Sequence, residues 1–131
     1  MKKSYRGLVL WMLVFLVGFI PLMILKVDGA LLTRLTLNYT CVMIAALAYI
    51  IYKFDRIYWY NGVYFNKAEE AGRRRRDAYA LAHFEKFKKL VIFFGAYSIL
   101  AHFINISIFI DVFVMTTATI VTAISTMKIK L

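Results

Sequence analysis

The sequence predicts an all-α membrane protein: a four-transmembrane-helix bundle in which an amphipathic cytosolic helix extends into the third span. Three observations predict it. Hydrophobic residues fill 63% of the 131 positions, against roughly 45–50% in soluble domains. Charge-free runs long enough to cross a bilayer recur along the chain. Lysine and arginine gather beside the ends of those runs.

The net charge of +10 would suggest nucleic acid in a soluble protein. Basic residues that flank membrane segments set topology and attract anionic lipid. That accounts for the charge, so anionic lipids of the cytosolic face are expected as partners and nucleic acid is not. With 6 Gly and 1 Pro, the chain is not loop-rich. The single cysteine, Cys41, has no internal disulfide partner and reads as a small buried hydrophobe within an apolar run.

Lys2, Lys3 and Arg6 precede the first predicted span, 7–25, which as a helix is about 28 Å long. A basic start can open a signal peptide, but this run exceeds a typical signal core and no small-x-small cleavage site follows, so it reads as a retained helix. Pro21 removes a backbone donor near the far end and predicts a kink. A short turn at 26–29 implies an antiparallel hairpin. The second span, 31–52, carries Arg34, Asn38 and Cys41. Arg34 lies one turn inside, where its long side chain can snorkel to the interface.

The segment 53–89 holds ten basic residues and opens with Phe54, Tyr58, Trp59, Tyr60, Tyr64 and Phe65. Asn61-Gly62 signals a turn. Asn66 and Glu69 have capping-box spacing and predict a helix from Lys67 onward. Ala78, Leu81, Ala82, Phe84 and Phe87 supply its apolar face. Gly72 weakens that helix by about 1 kcal/mol. It enters the membrane near Leu90 without a break and becomes the third span, 90–106. A polar turn from Asn105 to Asp111 leads into the fourth, 109–127. No internal repeat is present. Basic residues alternate in density between successive connections, so the positive-inside rule places both termini and the long loop in the cytosol of a multi-pass cell-membrane protein.

Ionisable groups inside a span are candidate functional residues. Arg34 and Asn38 share one side of the second helix, and His102 and Asn105 one side of the third. With Asp111 they outline an outer polar pocket for a small ion, a proton or a polar head group. The competing reading has Arg34 snorkelling, Asp111 favouring the positive end of the fourth helix, and His102 bonding between helices. Ala118, Thr119, Thr122 and Ala123 on the fourth helix suit close helix packing, within or between copies, better than a hydroxyl-lined pore. Arg73, Arg74, Arg75, Arg76, Lys86, Lys88 and Lys89 form a candidate docking surface for lipid or an acidic partner.

Metalloprotease, CxxC, phosphate-loop and serine-hydrolase motifs are missing, so no catalytic residue, metal or cofactor is expected. The chain reads first as a non-enzymatic binding protein, either an accessory subunit of a larger membrane complex or a protective, immunity-type protein. A small homo-oligomeric channel or carrier for ions or solutes, with an outward-facing polar site, is the alternative. A lipid-acting enzyme built on His102, Asn105 and Asp111 comes third.

Overall fold

The computed structural model describes residues 2–131, and among them there are helices and turns but no strand. The helices are α1 (Arg6–Val17), α2 (Phe19–Ile24), α3 (Gly29–Lys53), α4 (Phe65–Glu70), α5 (Arg73–Phe103) and α6 (Ile108–Thr126), with one 3-10 turn at Ile57–Trp59. Three stretches are long and apolar enough to cross a membrane: Arg6–Ile24, Gly29–Lys53 and Ile108–Thr126. Their outward faces are apolar, with Met23 80% and Phe109 82% exposed. Water would disfavour such surfaces, whereas lipid accepts them.

The seam between α3 and α5 is the main packing surface. Arg34, Asn38, Cys41, Ala45 and Ala48 recur every three or four residues on α3 and so form one stripe. Arg76, Ala80, His83, Leu90, Phe94, Ser98 and Ala101 form the facing stripe on α5. Small side chains on α3 let the two backbones approach closely. Cys41 is buried against Leu90 and Phe94, with Val114 and Ala118 of α6 packed on the same cluster. The cysteine is thus the small buried hydrophobe its sequence context suggests.

α1 and α2 bury no residue and are tied to α3 by polar contacts. The Trp11 indole donates to the Met43 carbonyl at 3.1 Å. The Tyr39 hydroxyl donates to the Phe15 carbonyl at 2.9 Å. The helix breaks at Gly18, one turn before Pro21. A Cβ on Gly18 would lie 1.8 Å from the Tyr39 oxygen, so the tyrosine contact in this position needs a glycine there.

The long basic segment differs from its expected form. Asn66 caps nothing: α4 starts at Phe65, its N-cap is Tyr64, and no side chain caps it. The helix expected from Lys67 is broken at Gly72, whose φ of 75° and ψ of 154° are accessible essentially to glycine alone. The expected apolar face is not the buried one, since Ala78 and Leu81 are exposed while Arg76, Ala80 and His83 are buried. Past Gly72 the helix is continuous, and α5 runs through Leu90 without interruption.

At this basic end Ile51, Ile57, Tyr58, Ala68 and Ala80 form a second cluster, on which Trp59, Tyr60, Phe65 and the C-terminal Leu131 pack. The Tyr58 hydroxyl donates to the Ser4 carbonyl at 2.9 Å and accepts from the Ser4 amide at 2.8 Å. Both chain ends therefore meet the segment that joins α3 to α5. His83 lies in this region, stacked against Tyr60 with ring centroids 4.4 Å apart. Burial lowers its pKa below the ordinary 6.5, and the hydrogen bond to the Tyr79 carbonyl opposes that only in part. The folded protein thus takes up this proton less readily than the unfolded chain. Stability is full above the unfolded value of 6.5 and is lost as pH falls below it toward the folded value. Thermal unfolding in detergent is expected to move down between about pH 7.5 and about pH 5.5, and His83→Gln to remove part of that shift. An identical pH profile in the variant would contradict this.

Candidate functional site

At the opposite, hairpin end of the bundle, Arg34 and Asp111 meet. Arg34 Nε lies 2.9 Å from Asp111 Oδ2, with side chains 5% and 0% exposed. Each partner makes a second contact. Arg34 Nη2 donates to the Ile106 carbonyl at 2.6 Å, and the Tyr97 hydroxyl donates to Asp111 Oδ1 at 2.9 Å. One turn deeper, Asn38 Nδ2 donates to the Ser98 hydroxyl and to the Arg34 carbonyl, each at 2.8 Å.

Local chain geometry builds this cluster. Asp28 caps α3 by accepting from the Leu31 amide at 2.8 Å and so sets where Arg34 falls on the helix. α5 ends with Asn105 in the left-handed region, φ 53°, and the Ile106 amide reaches back to the Ala101 carbonyl at 3.1 Å. This is a helix stop of the kind asparagine tolerates, and the Ile106 carbonyl that follows it receives Arg34. Ser107 caps α6, which places Asp111 in its first turn, where the helix dipole also favours a negative charge.

Of the five residues expected in an outer pocket, Arg34, Asp111 and Asn38 come together. His102 and Asn105 do not, and both side chains are exposed. His102 follows the buried Ala101 by one residue, a rotation of about 100° that turns it off the inward stripe. Asn105 acts through its backbone. Arg34 does not snorkel: it turns inward to a carboxylate. What the residues form is a buried ion pair, each member with a further hydrogen bond, rather than an open pocket. Tyr97 and Ser98 were missed. The spacing of Leu90, Phe94, Ser98 and Ala101 is the signal that puts Ser98 inward, while Tyr97 carries none that separates it from other aromatic residues in the run.

The basic candidates divide as well. Arg76 is not available for docking. It makes a forked contact with Asp55, Nε to Oδ1 at 2.7 Å and Nη2 to Oδ2 at 2.7 Å, and it donates to the Ala68 carbonyl at 3.2 Å. Asp55 sits just past the end of α3 with φ 53°. Its hydrogen bond holds the Arg76 guanidinium above its ordinary pKa, outweighing the opposing effect of burial. Arg73, Arg74 and Arg75 remain exposed on the first turn of α5. Lys88 pairs with Glu85 at 3.1 Å. Lys86 and Lys89 stand at one end of an apolar groove of about 450 Å³ between α5 and α6, floored by Leu90, Phe93 and Val114. The hydroxyls of Thr122, Ser125 and Thr126 are turned onto carbonyls of their own helix, at 2.8, 2.7 and 2.6 Å.

No family model matches the chain, and neither a curated protein nor a solved structure matches it.

Removing one member of a buried, hydrogen-bonded pair leaves an uncompensated charge and costs about 3–5 kcal/mol. Asp111→Asn is expected to lose stability on that scale in detergent unfolding. Tyr97→Phe, which deletes one hydrogen bond to a charged group, is expected to lose about 1.5–3 kcal/mol. Equal stability of both variants and the native chain would contradict the pairing.

Proposed function

We propose that this chain crosses the cell membrane four times, with both termini and the basic segment in the cytosol, and acts by binding rather than by catalysis. It serves as an accessory subunit of a larger membrane complex or as a protective protein. The three long apolar helices support the membrane setting. The charge-free part of α5, from Leu90 to Phe103, rises only about 21 Å at 1.5 Å per residue, short of a hydrocarbon core of about 30 Å. Snorkelling by Lys86, Lys88 and Lys89 extends its reach and makes it the remaining crossing. Contact of both chain ends with one aromatic cluster supports an even number of crossings. The excess of Lys and Arg at that end supports a cytosolic location.

The observation that carries the binding role is the unequal use of charge. Arg34 and Asp111 are consumed in a closed pair, which weighs against a wet path along the seam. Arg73, Arg74 and Arg75 are exposed on a helix that the Arg76–Asp55 contact anchors to α3. Exposed guanidinium groups on one anchored helical turn, of which only Arg73 among the described residues has a nearby carboxylate, Asp77 at 3.8 Å, suit an acidic partner surface. Lys86 and Lys89 over an apolar groove suit an anionic phospholipid, head group at the lysines and acyl chain between α5 and α6.

Two measurements test these proposals. In a Cys41→Ala background, a cysteine at Arg74 is expected to react with an impermeant reagent only after membranes are opened, and one at Asn105 in intact cells. The reverse pattern would invert the topology. Protein isolated in mild detergent is expected to carry a second, different chain that the triple change Arg73→Glu, Arg74→Glu, Arg75→Glu releases without altering the unfolding temperature. A homo-oligomer indifferent to that change would favour the channel alternative.

A further inference from the structure

A groove of about 540 Å³ runs between α1 and α3 at the basic end. Leu10, Trp11 and Val14 form its α1 wall, and Met43, Ala46 and Ile50 its α3 wall. Gly7 to Val14 on one helix and Ile50 to Met43 on the other each rise about 10 Å at 1.5 Å per residue. Both walls belong to stretches long and apolar enough to cross a membrane. Leu10 and Val14 stay exposed beside the gap, so the acyl chains around the two helices reach it from the side. The groove lies apart from the Arg34–Asp111 pair, from the exposed arginines of α5, and from the lysine-edged groove between α5 and α6.

Its polar end selects an occupant. Ser4 and Arg56 are the polar side chains of a lining that is otherwise apolar, apart from two indoles. Both indole N–H groups are committed, Trp11 to the Met43 carbonyl at 3.1 Å and Trp59 to the Ser4 carbonyl at 3.0 Å. Arg56 is half-buried, and its Nη1 donates to the Lys2 carbonyl and to the Tyr58 hydroxyl. Its Nε and Nη2 donate to nothing among the described residues, and neither atom is enclosed. Those two nitrogens form the edge of a guanidinium that grips an oxyanion through parallel hydrogen bonds. Arg76 uses the same edge on Asp55, with Nε and Nη2 each at 2.7 Å. Arg34 has Asp111. Arg56 stands next to Asp55 in the chain, yet that carboxylate is taken by Arg76. Among the described residues no carboxylate lines the groove, and Arg56 forms no ion pair. Arg56 is thus a half-buried cation that lacks a counter-ion, at the end of an apolar groove.

The complement is a molecule with an oxyanion at one end and hydrocarbon at the other. Alcohols, amides and neutral rings leave the guanidinium uncompensated. Free phosphate leaves the apolar walls bare, and a peptide brings backbone groups into a groove that cannot receive them. We propose that the groove binds an anionic phospholipid, its phosphate held by Arg56 and the Ser4 hydroxyl and one acyl chain laid between α1 and α3. Arg56 follows the end of α3 by three residues, the depth at which the phosphates of the surrounding bilayer lie. Lys2, whose carbonyl Arg56 holds, is exposed, as are Lys3 and Lys53. A zwitterionic head group would bring its ammonium among these cations, whereas an anionic one meets only attraction. The lipid fills the space that α1, which buries no residue, leaves against α3. The inference needs α1 and α3 to lie in the membrane. It does not rest on the binding role proposed above or on which face the basic end occupies.

The chain's two tryptophans, Trp11 and Trp59, both line this groove, so their fluorescence reports on its occupant. The full chain is reconstituted in phosphatidylcholine vesicles that carry increasing shares of a dibrominated lipid, since bromine quenches indole on contact. The brominated lipid is phosphatidylglycerol, phosphatidylcholine or a free fatty acid. Phosphatidylglycerol is expected to outcompete phosphatidylcholine about fivefold in relative association constant, the worth of one basic residue toward an anionic lipid. The fatty acid is expected to show no such preference. Arg56→Gln is expected to abolish the preference for phosphatidylglycerol. Ala46→Phe fills the groove without removing a hydrogen bond, and is expected to abolish it too while unfolding in detergent at the native temperature. Lys128→Gln combined with Lys130→Gln removes two exposed charges outside the groove and is expected to leave the preference intact. Absence of the preference in the native chain, or its survival in Arg56→Gln or in Ala46→Phe, would overturn the proposal. Its loss in the lysine control would also overturn it, as a general attraction of the basic end for anionic lipid. An equal preference for the fatty acid would overturn the phospholipid as occupant.

Discussion

An arginine and an aspartate cannot both lie in an apolar bundle unless they lie together. The Arg34–Asp111 contact at 2.9 Å meets that requirement, and much of the chain's path follows from it. Asp111 must sit in the first turn of α6, so the turn after α5 must be tight. Asn105 in the left-handed conformation supplies the tight turn. The turn in turn delivers the Ile106 carbonyl to Arg34. Tyr97 occupies the remaining carboxylate oxygen. Each piece answers the same electrostatic demand, that no charge be left without a partner where water does not reach.

A second Arg–Asp contact closes the other end of the seam. Arg76 and Asp55, 2.7 Å apart, join the start of α5 to the end of α3, just as Arg34 and Asp111 join the start of α3 to the start of α6. Between the two pairs, Cys41, Ala45 and Ala48 allow close approach. In lipid, apolar burial between helices adds little driving force, and close packing with polar contacts must hold them together. α1 fits the same logic: it buries no side chain, and Trp11, Tyr39, Tyr58 and Trp59 hold it by hydrogen bonds. Charges that are not so consumed gather at the basic end, which is where the binding role is proposed.

Much of the architecture was legible from hydropathy and charge. The long apolar runs appear as helices within a few residues of their expected limits. The continuity of α5 past Leu90 followed from the absence of any breaker between Gly72 and the apolar run. The chemistry of Arg34 and Asp111 was legible as a question, because ionisable residues in apolar runs stand out; that they are a closed pair was not, since side-chain burial depends on how three helices meet. His102 looked as promising as Asp111 and differs from it by a rotation of one residue past Ala101. The basic segment was least legible. Arg76 reads like its three neighbours in the sequence, yet it alone points inward, and only the position of Asp55 past the end of α3 selects it. The aromatic residues before it form a packed cluster with both chain ends, contacts of long sequence separation that periodicity does not encode.

The claim that the hairpin end is organised by mutual neutralisation is tested most directly by a double-mutant cycle on Arg34→Met and Asp111→Leu, read by reversible unfolding in detergent. Mutual neutralisation predicts that the double variant is more stable than either single one, with a coupling of about 3 kcal/mol or more, because deleting both charges removes the penalty that deleting one creates. Losses that simply add would contradict it and would mean that the two residues are held in place independently.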